Sequence, residues 1–149
     1  MSSLFGVAAV PDTHFDCCHN FVRREEHGGE QLWVHRKGAN SAREGEPGII
    51  PGSMGTFSYH VGGRGEPASL CSSSHGAGRV MSRDAAGRRI AVRQLEREMA
   101  GVWFDRRLAR RLCDEAPGAY QDLAPVMRAQ RDLVWIVRRL RPVLSYKGT

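Results

Sequence analysis

DLAPVMRAQRDLVWIVRRL, residues 122 to 140, is the longest stretch with a regular apolar period, and its reading decides the fold. Leu123, Val126, Met127, Gln130, Leu133, Val134, Val137 and Leu140 recur at spacings of three and four, which places them on one face of an α-helix. The spacing predicts a helix over 122–140 that Pro142 ends, with VLSYKGT as a final strand or extended tail. Met127 on that face is a core residue rather than a site residue. Upstream, glycine is rare from Ser82 onward and arginine, leucine and alanine dominate, so the whole second half is expected to be helical. Ser82 is the natural N-cap of its first helix, with Asp84 in the first turn to complement the dipole.

The first 80 residues have a different character. They are rich in Gly, Ser and Pro, and carry three short β-favouring runs, QLWVHR (31–36), GTFSYHVG (55–62) and ASLCSS (68–73). KGANSAREGEPG (37–48) and GGRGEP (62–67) read as the loops that break them. The expected class is α+β or mixed α/β, a strand-rich N-terminal half followed by a helical C-terminal half, with no internal repeat.

At 149 residues the chain is one domain's worth, and its 41% apolar and 26% charged residues are those of a globular protein. The formal charge of +6 leans toward a polyanionic partner such as RNA, DNA or nucleotide phosphates. Much of it lies in Arg88, Arg89, Arg93, Arg97, Arg106, Arg107, Arg110, Arg111, Arg138, Arg139 and Arg141, which form either solvated helix faces or phosphate contacts. LFGVAAV (4–10) is far short of the roughly 20 apolar residues that span a bilayer, and no basic residue precedes it, so neither a membrane segment nor a leader is expected. Four cysteines, Cys17 and Cys18 adjacent, do not make a secreted disulfide framework; a reducing cytoplasm is the expected home. Cys71 and Cys113 read as small core residues, and Glu25, Glu26, Asp114 and Glu115 as solvated charge pairs.

Three stretches could carry chemistry. In SLCSSSHGAGRVMSR (69–83) a single imidazole, His75, stands between three serines and Gly76-Ala77-Gly78, with nothing bulky beside it. A neutral imidazole is a competent nucleophile toward a nucleotide α-phosphate. Backbone N–H groups at Gly76, Ala77 and Gly78 and hydroxyls at Ser72 to Ser74 could line that phosphate, more so if a helical turn begins at Gly78. The bland alternative is a surface loop with an incidental histidine. In GIIPGSMGTFSYHVG (48–62), Pro51-Gly52-Ser53 signals a turn, and Ser53 and Ser58 could meet phosphate, sugar or base, or merely connect strands. In DCCHNFVRREEH (16–27), His19 between Cys17, Cys18 and Asn20 suggests a metal, but the spacing is not that of a closed zinc site. His14, His27, His35 and His60 form no arrangement, the last two lying in strand-like runs. No G-x-S-x-G elbow points to a serine hydrolase.

HN at 19–20, VHRKGA at 34–39, GIIPGSMGT at 48–56, SSHGAGRVMSR at 73–83, AYQDL at 119–123 and KG at 147–148 together resemble the C-terminal portion of the RtcB family. These are GTP- and manganese-dependent RNA ligases that join 2′,3′-cyclic-phosphate or 3′-phosphate ends to 5′-hydroxyl ends. The resemblance covers residues 17 to 149 and leaves 1 to 16 unassigned. It implies that His75 is the guanylylated histidine. GTP would lie along Gly76, Ala77 and Gly78 and along Pro51, Gly52, Ser53 and Met54. Ser58 and Lys147 would contact the guanine side, Asn20 the nucleotide phosphate, and Tyr120 would line the base pocket. His19 would be a manganese ligand and GTP-site residue. By position and charge, Arg79 and Arg83 are candidates for RNA phosphate contacts.

The resemblance also implies metal ligands in a portion ahead of this segment: an aspartate and a cysteine in a D-x-x-C-G turn, and two further histidines. No D-x-x-C-G occurs here. The expected activity is RNA ligation in RNA repair or tRNA splicing, with a chain supplying the N-terminal portion as partner. The alternative is a catalytically incomplete fragment acting as an RNA- or nucleotide-binding remnant.

Overall fold

A computed structural model describes residues 16–18 and 20–147. A long hairpin comes first: β1 (Asn20–His27) and β2 (Glu30–Lys37) pair antiparallel from Asn20↔Lys37 to His27↔Glu30. Gly28 and Gly29 form its turn with φ of 60° and 84°, backbone that glycine adopts without penalty. β3 (Ala39–Ser41) pairs antiparallel with β6 (Ser72–Ser74), and β4 (Pro47–Ile50), β5 (Ser58–Gly63) and β7 (Val134–Leu140) form a three-stranded antiparallel sheet with β5 in the middle. Between β6 and β7 lie the helices α1 (Arg83–Arg89), α2 (Val92–Glu98), α3 (Ala109–Leu112) and α4 (Leu123–Ala129), with short 3₁₀ turns. No described helix is long and apolar enough to cross a membrane.

The mixed sheet-and-helix class holds; the simple order of strands and then helices does not. α4 starts as expected, with the Asp122 carboxylate accepting from the Ala124 N–H, but it ends at Ala129, and residues 134–140 return as β7 against β5. The period of three and four is genuine through Gln130 and accidental beyond it. Val134, Trp135, Ile136 and Val137 are β-branched or aromatic and suit a pleated surface. β7 is an edge strand, exposed from Trp135 to Leu140, so it lacks the alternation that would have marked a strand. Residues 143–145 instead run beside Trp103, with Trp103 N–H donating to the Val143 carbonyl and Ser145 N–H to that of Trp103. At α1 the expectation stands: the Ser82 hydroxyl accepts from Ala85 N–H, and Asp84 lies in the first turn.

Two apolar clusters hold the chain. One is helical, built on Ile90, Leu95, Met99, Phe104, Leu112 and Cys113, with Met54 inserted from the strand half. The other packs Ile50, Tyr59 and Val61 of β4 and β5 against Leu123, Met127 and Val134. The segment after His75 joins them: Ala77 packs on the sheet cluster and Met81 on the helical one.

Candidate nucleotidyl-transfer site

His75 follows β6 and is held by the end of the first hairpin. Its Nδ1 lies 2.7 Å from the Gly38 carbonyl oxygen, which can only accept, so Nδ1 carries the proton and donates. The neutral ring then has its lone pair on Nε2. Gly38 sits at φ 74°, and a Cβ there would stand 3.6 Å from the imidazole, so its carbonyl reaches the ring through a backbone bend that favours glycine. Asn20 pairs with Lys37, the residue before Gly38, so the start of β1 arrives at the same corner.

The Pro51–Ser53 turn is the second wall. A Cβ on Gly76 would stand 3.4 Å from the Pro51 carbonyl oxygen, so the two loops run against each other. Gly52 N–H donates to the Ser58 hydroxyl, and Ser53 N–H to the Thr56 hydroxyl. Gly52 has no room for a side chain, since a Cβ would lie 2.2 Å from the Phe57 carbonyl. Ser58 therefore closes the turn, and Met54 buries its side chain in the helical core, leaving its backbone to the site. No helical turn begins at Gly78. It has φ 79°, its carbonyl accepts from Gln121 N–H, and α1 starts five residues later.

Gln130 belongs to this site, although its sequence position had suggested only the apolar face of a helix. It is buried, its Oε1 accepts from Ser74 N–H at 3.0 Å, and it thereby fixes the residue before His75 to the end of α4. The Ser74 hydroxyl is the one buried side-chain polar atom among the described residues without a partner.

The remaining expected residues gather on Glu115, which is buried rather than solvated. Tyr120 OH donates to Glu115 Oε2 at 2.7 Å, Lys147 Nζ lies 3.3 Å from the same oxygen, and Arg83 and Arg79 lie 2.8 and 3.4 Å from Oε1. Arg79 also donates to Tyr120 OH and to the carbonyls of Met81 and Asp114. Burial opposes ionisation of Glu115, but the Tyr120 hydrogen bond and the Lys147 and Arg83 charges outweigh it and hold its pKa below the ordinary carboxylate value. Burial, then the Glu115 hydrogen bond and charge, push the Tyr120 phenol up. Arg79, four residues after His75, faces Tyr120 in a β-bridge, so this network borders the His75 loop.

Glu25 also departs from the solvated expectation. It is 3% exposed and meets Arg36, 2% exposed, in a two-pronged ion pair of 2.7 and 2.9 Å, with His27 and Arg43 adding contacts. Arg36 donates in turn to the Ser72 hydroxyl and the Leu70 carbonyl, across a turn where Leu70 and Cys71 both have left-handed φ. The hairpin thus grips the turn that leads into β6 and His75. The Arg36 hydrogen bond, against the cost of burial, holds the Glu25 pKa down at about 2.

His19 lies outside the described residues. Among the described residues no group of three or more His, Cys, Asp or Glu side chains could hold a metal ion. Asp16, Cys17, Cys18 and Glu46 line a cleft of about 260 Å³ beside β1, without converging as ligands. These residues by themselves do not fit a manganese pair. All four cysteines are free thiols, Cys113 in the core and Cys71 half-buried.

Against known proteins, the family model described as tRNA-splicing ligase RtcB matches residues 3–148, beginning ahead of the motifs quoted above. The chain is 50% identical over 133 residues to the RNA-splicing ligase RtcB of Escherichia coli K12, covering 89% of this chain and 32% of that protein. It is 36% identical over 159 residues to the tRNA-splicing ligase RtcB of Pyrobaculum aerophilum, covering 90% of this chain and 33% of that one. It therefore spans about a third of the length of these curated relatives. With a family model matched over nearly its whole length, the chain belongs to the RtcB family.

Proposed function

We propose that this chain is the nucleophile-bearing C-terminal part of a GTP-dependent RNA ligase that joins 2′,3′-cyclic-phosphate or 3′-phosphate ends to 5′-hydroxyl ends. The observation that carries the reading is the hydrogen bond from His75 Nδ1 to Gly38, which puts the ring proton on Nδ1 and makes Nε2 the basic, nucleophilic nitrogen. In the first step Nε2 bonds to the α-phosphorus of GTP, the bond to the bridging oxygen of the β-phosphate breaks, and pyrophosphate leaves. An oxygen of the RNA 3′-phosphate then takes the guanylyl group and frees the imidazole. Finally the 5′-hydroxyl attacks that phosphate, loses its proton and displaces GMP. A cyclic end is first opened by water in the same site.

Gly76, Ala77, Gly78 and the Pro51–Ser53 turn bring backbone to the phosphate without side chains in the way, and Lys147 and Tyr120 stand on the base side. Manganese belongs to this reading, with His19 and the remaining part of an RtcB-type protein as the source of its donors. Four free thiols fit a reducing cytoplasm.

The test is incubation with GTP radiolabelled at the α-phosphate and manganese, with and without the N-terminal portion of the E. coli relative. An acid-labile, base-stable label on the wild type and none on His75→Ala is expected. No label under either condition overturns the ligase reading in favour of an RNA-binding remnant.

A further inference from the structure

Outside the His75 site, the clearest built surface is where the chain's end runs beside Trp103. The parallel bridge sets Trp103 and Leu144 side by side, and in extended backbone Tyr146, two residues on, points to the same side as Leu144. The three form an exposed strip, 55%, 52% and 73% accessible. At its Trp103 end opens a cleft of about 310 Å³, lined by the consecutive residues 102–107, Trp103, Asp105, Arg106 and Arg107 among them. Arg107, on the same turn, is held by Asp105 through Nε and Nη2. Arg106 has no ion pair among the described residues. Exposed aromatic rings interleaved with arginine are what a single nucleic-acid strand needs: faces for bases to stack on and cations for its phosphates. One residue beyond Tyr146, Lys147 joins the Glu115 network that borders the His75 loop.

We propose that Trp103, Tyr146 and Arg106 form a stacking platform for single-stranded RNA, which receives the strand next to the nucleotidyl-transfer site. The proposal rests on the ligase reading only for the identity of the polyanion. Its chemistry is sequence-tolerant, because every base offers a π-face. It also separates single strands from duplexes, whose bases are already stacked on one another.

The test is fluorescence anisotropy of the full 149-residue chain with a short labelled single-stranded RNA ending in a 3′-phosphate, and with the same sequence as a duplex, in the absence of GTP. Trp103→Ala and Tyr146→Ala are each expected to weaken single-strand binding by about tenfold, with Trp103→Phe restoring most of it. Arg106→Ala should lower the slope of log affinity against log salt by about 0.7, the value for one phosphate on a single strand. Because binding is read without GTP, a chain that binds through this strip but takes no label at His75 with or without the N-terminal portion refutes the ligase reading alone. Unchanged affinity in Trp103→Ala and Tyr146→Ala overturns the platform. So does an equal loss for single strand and duplex.

Discussion

Glu25 offers the sharpest test of how the nucleophile loop is held. Its folded pKa of about 2 lies below the ordinary 4.5, so the stabilisation it supplies is fully present above about pH 4.5 and is lost as the pH falls toward 2. At 1.36 kcal/mol per pH unit, that depression corresponds to about 3 kcal/mol, a large share of the roughly 5–15 kcal/mol that holds a domain folded. Glu25→Gln leaves the Arg36 guanidinium buried without its counter-charge, a change that costs about 3–5 kcal/mol where buried pairs are broken. With a urea slope of about 2 kcal/mol per molar, the midpoint at pH 7 should fall by about 2 M. The assay is urea unfolding followed by circular dichroism at a series of pH values from 7 to 2. Wild type should lose about 3 kcal/mol more than Glu25→Gln across the acid window, so that the two curves converge at low pH. Parallel curves, with the gap unchanged from pH 7 to pH 2, would refute the assignment of that stability to the Glu25–Arg36 pair.

Two further outcomes are expected. Gly38→Ala forces a side chain into left-handed backbone, which should cost about 1–2 kcal/mol in thermal or urea unfolding; by moving the carbonyl that holds His75 it should also slow His75 labelling by about tenfold or more. Glu115→Gln removes the charge that gathers Arg79, Arg83 and Lys147, and should cost about 2 kcal/mol at pH 7. Because the folded Glu115 pKa is lowered, the difference from wild type should shrink as the pH falls below the ordinary carboxylate range, as a pH series of unfolding midpoints would record.

The local signals in the sequence were sound. The Ser82 cap, the start of a helix at about residue 122, the runs that became β2 and β5, and Met127 in the core all depend on residues within a turn or two of one another. β7 was misread because an edge strand exposed along its length has no alternating pattern to separate it from the helix before it. The carboxylates were misread because burial of Glu25 depends on Arg36 and Arg43, and that of Glu115 on Lys147, 32 residues away. His75 stood out in the sequence by its bare surroundings, and the structure adds the Gly38 carbonyl that orients its ring. Gly38 did not stand out, because a backbone carbonyl leaves no mark in the residue type that offers it. Gln130 was hidden by a periodicity that reads any side chain on a helix face as part of the core.

The segment from His75 to Ser82 lies against the sheet cluster at Ala77 and against the helical cluster at Met81. If either half opens locally, the loop loses one of its two supports while the other half stays folded. The reactivity of the imidazole then reports on both halves at once, like a joint that carries load only when both members are in place. Mild denaturant should therefore abolish the proposed His75 labelling before it dissolves the bulk of the secondary structure, and a substitution deep in the helical core should register first as slower labelling.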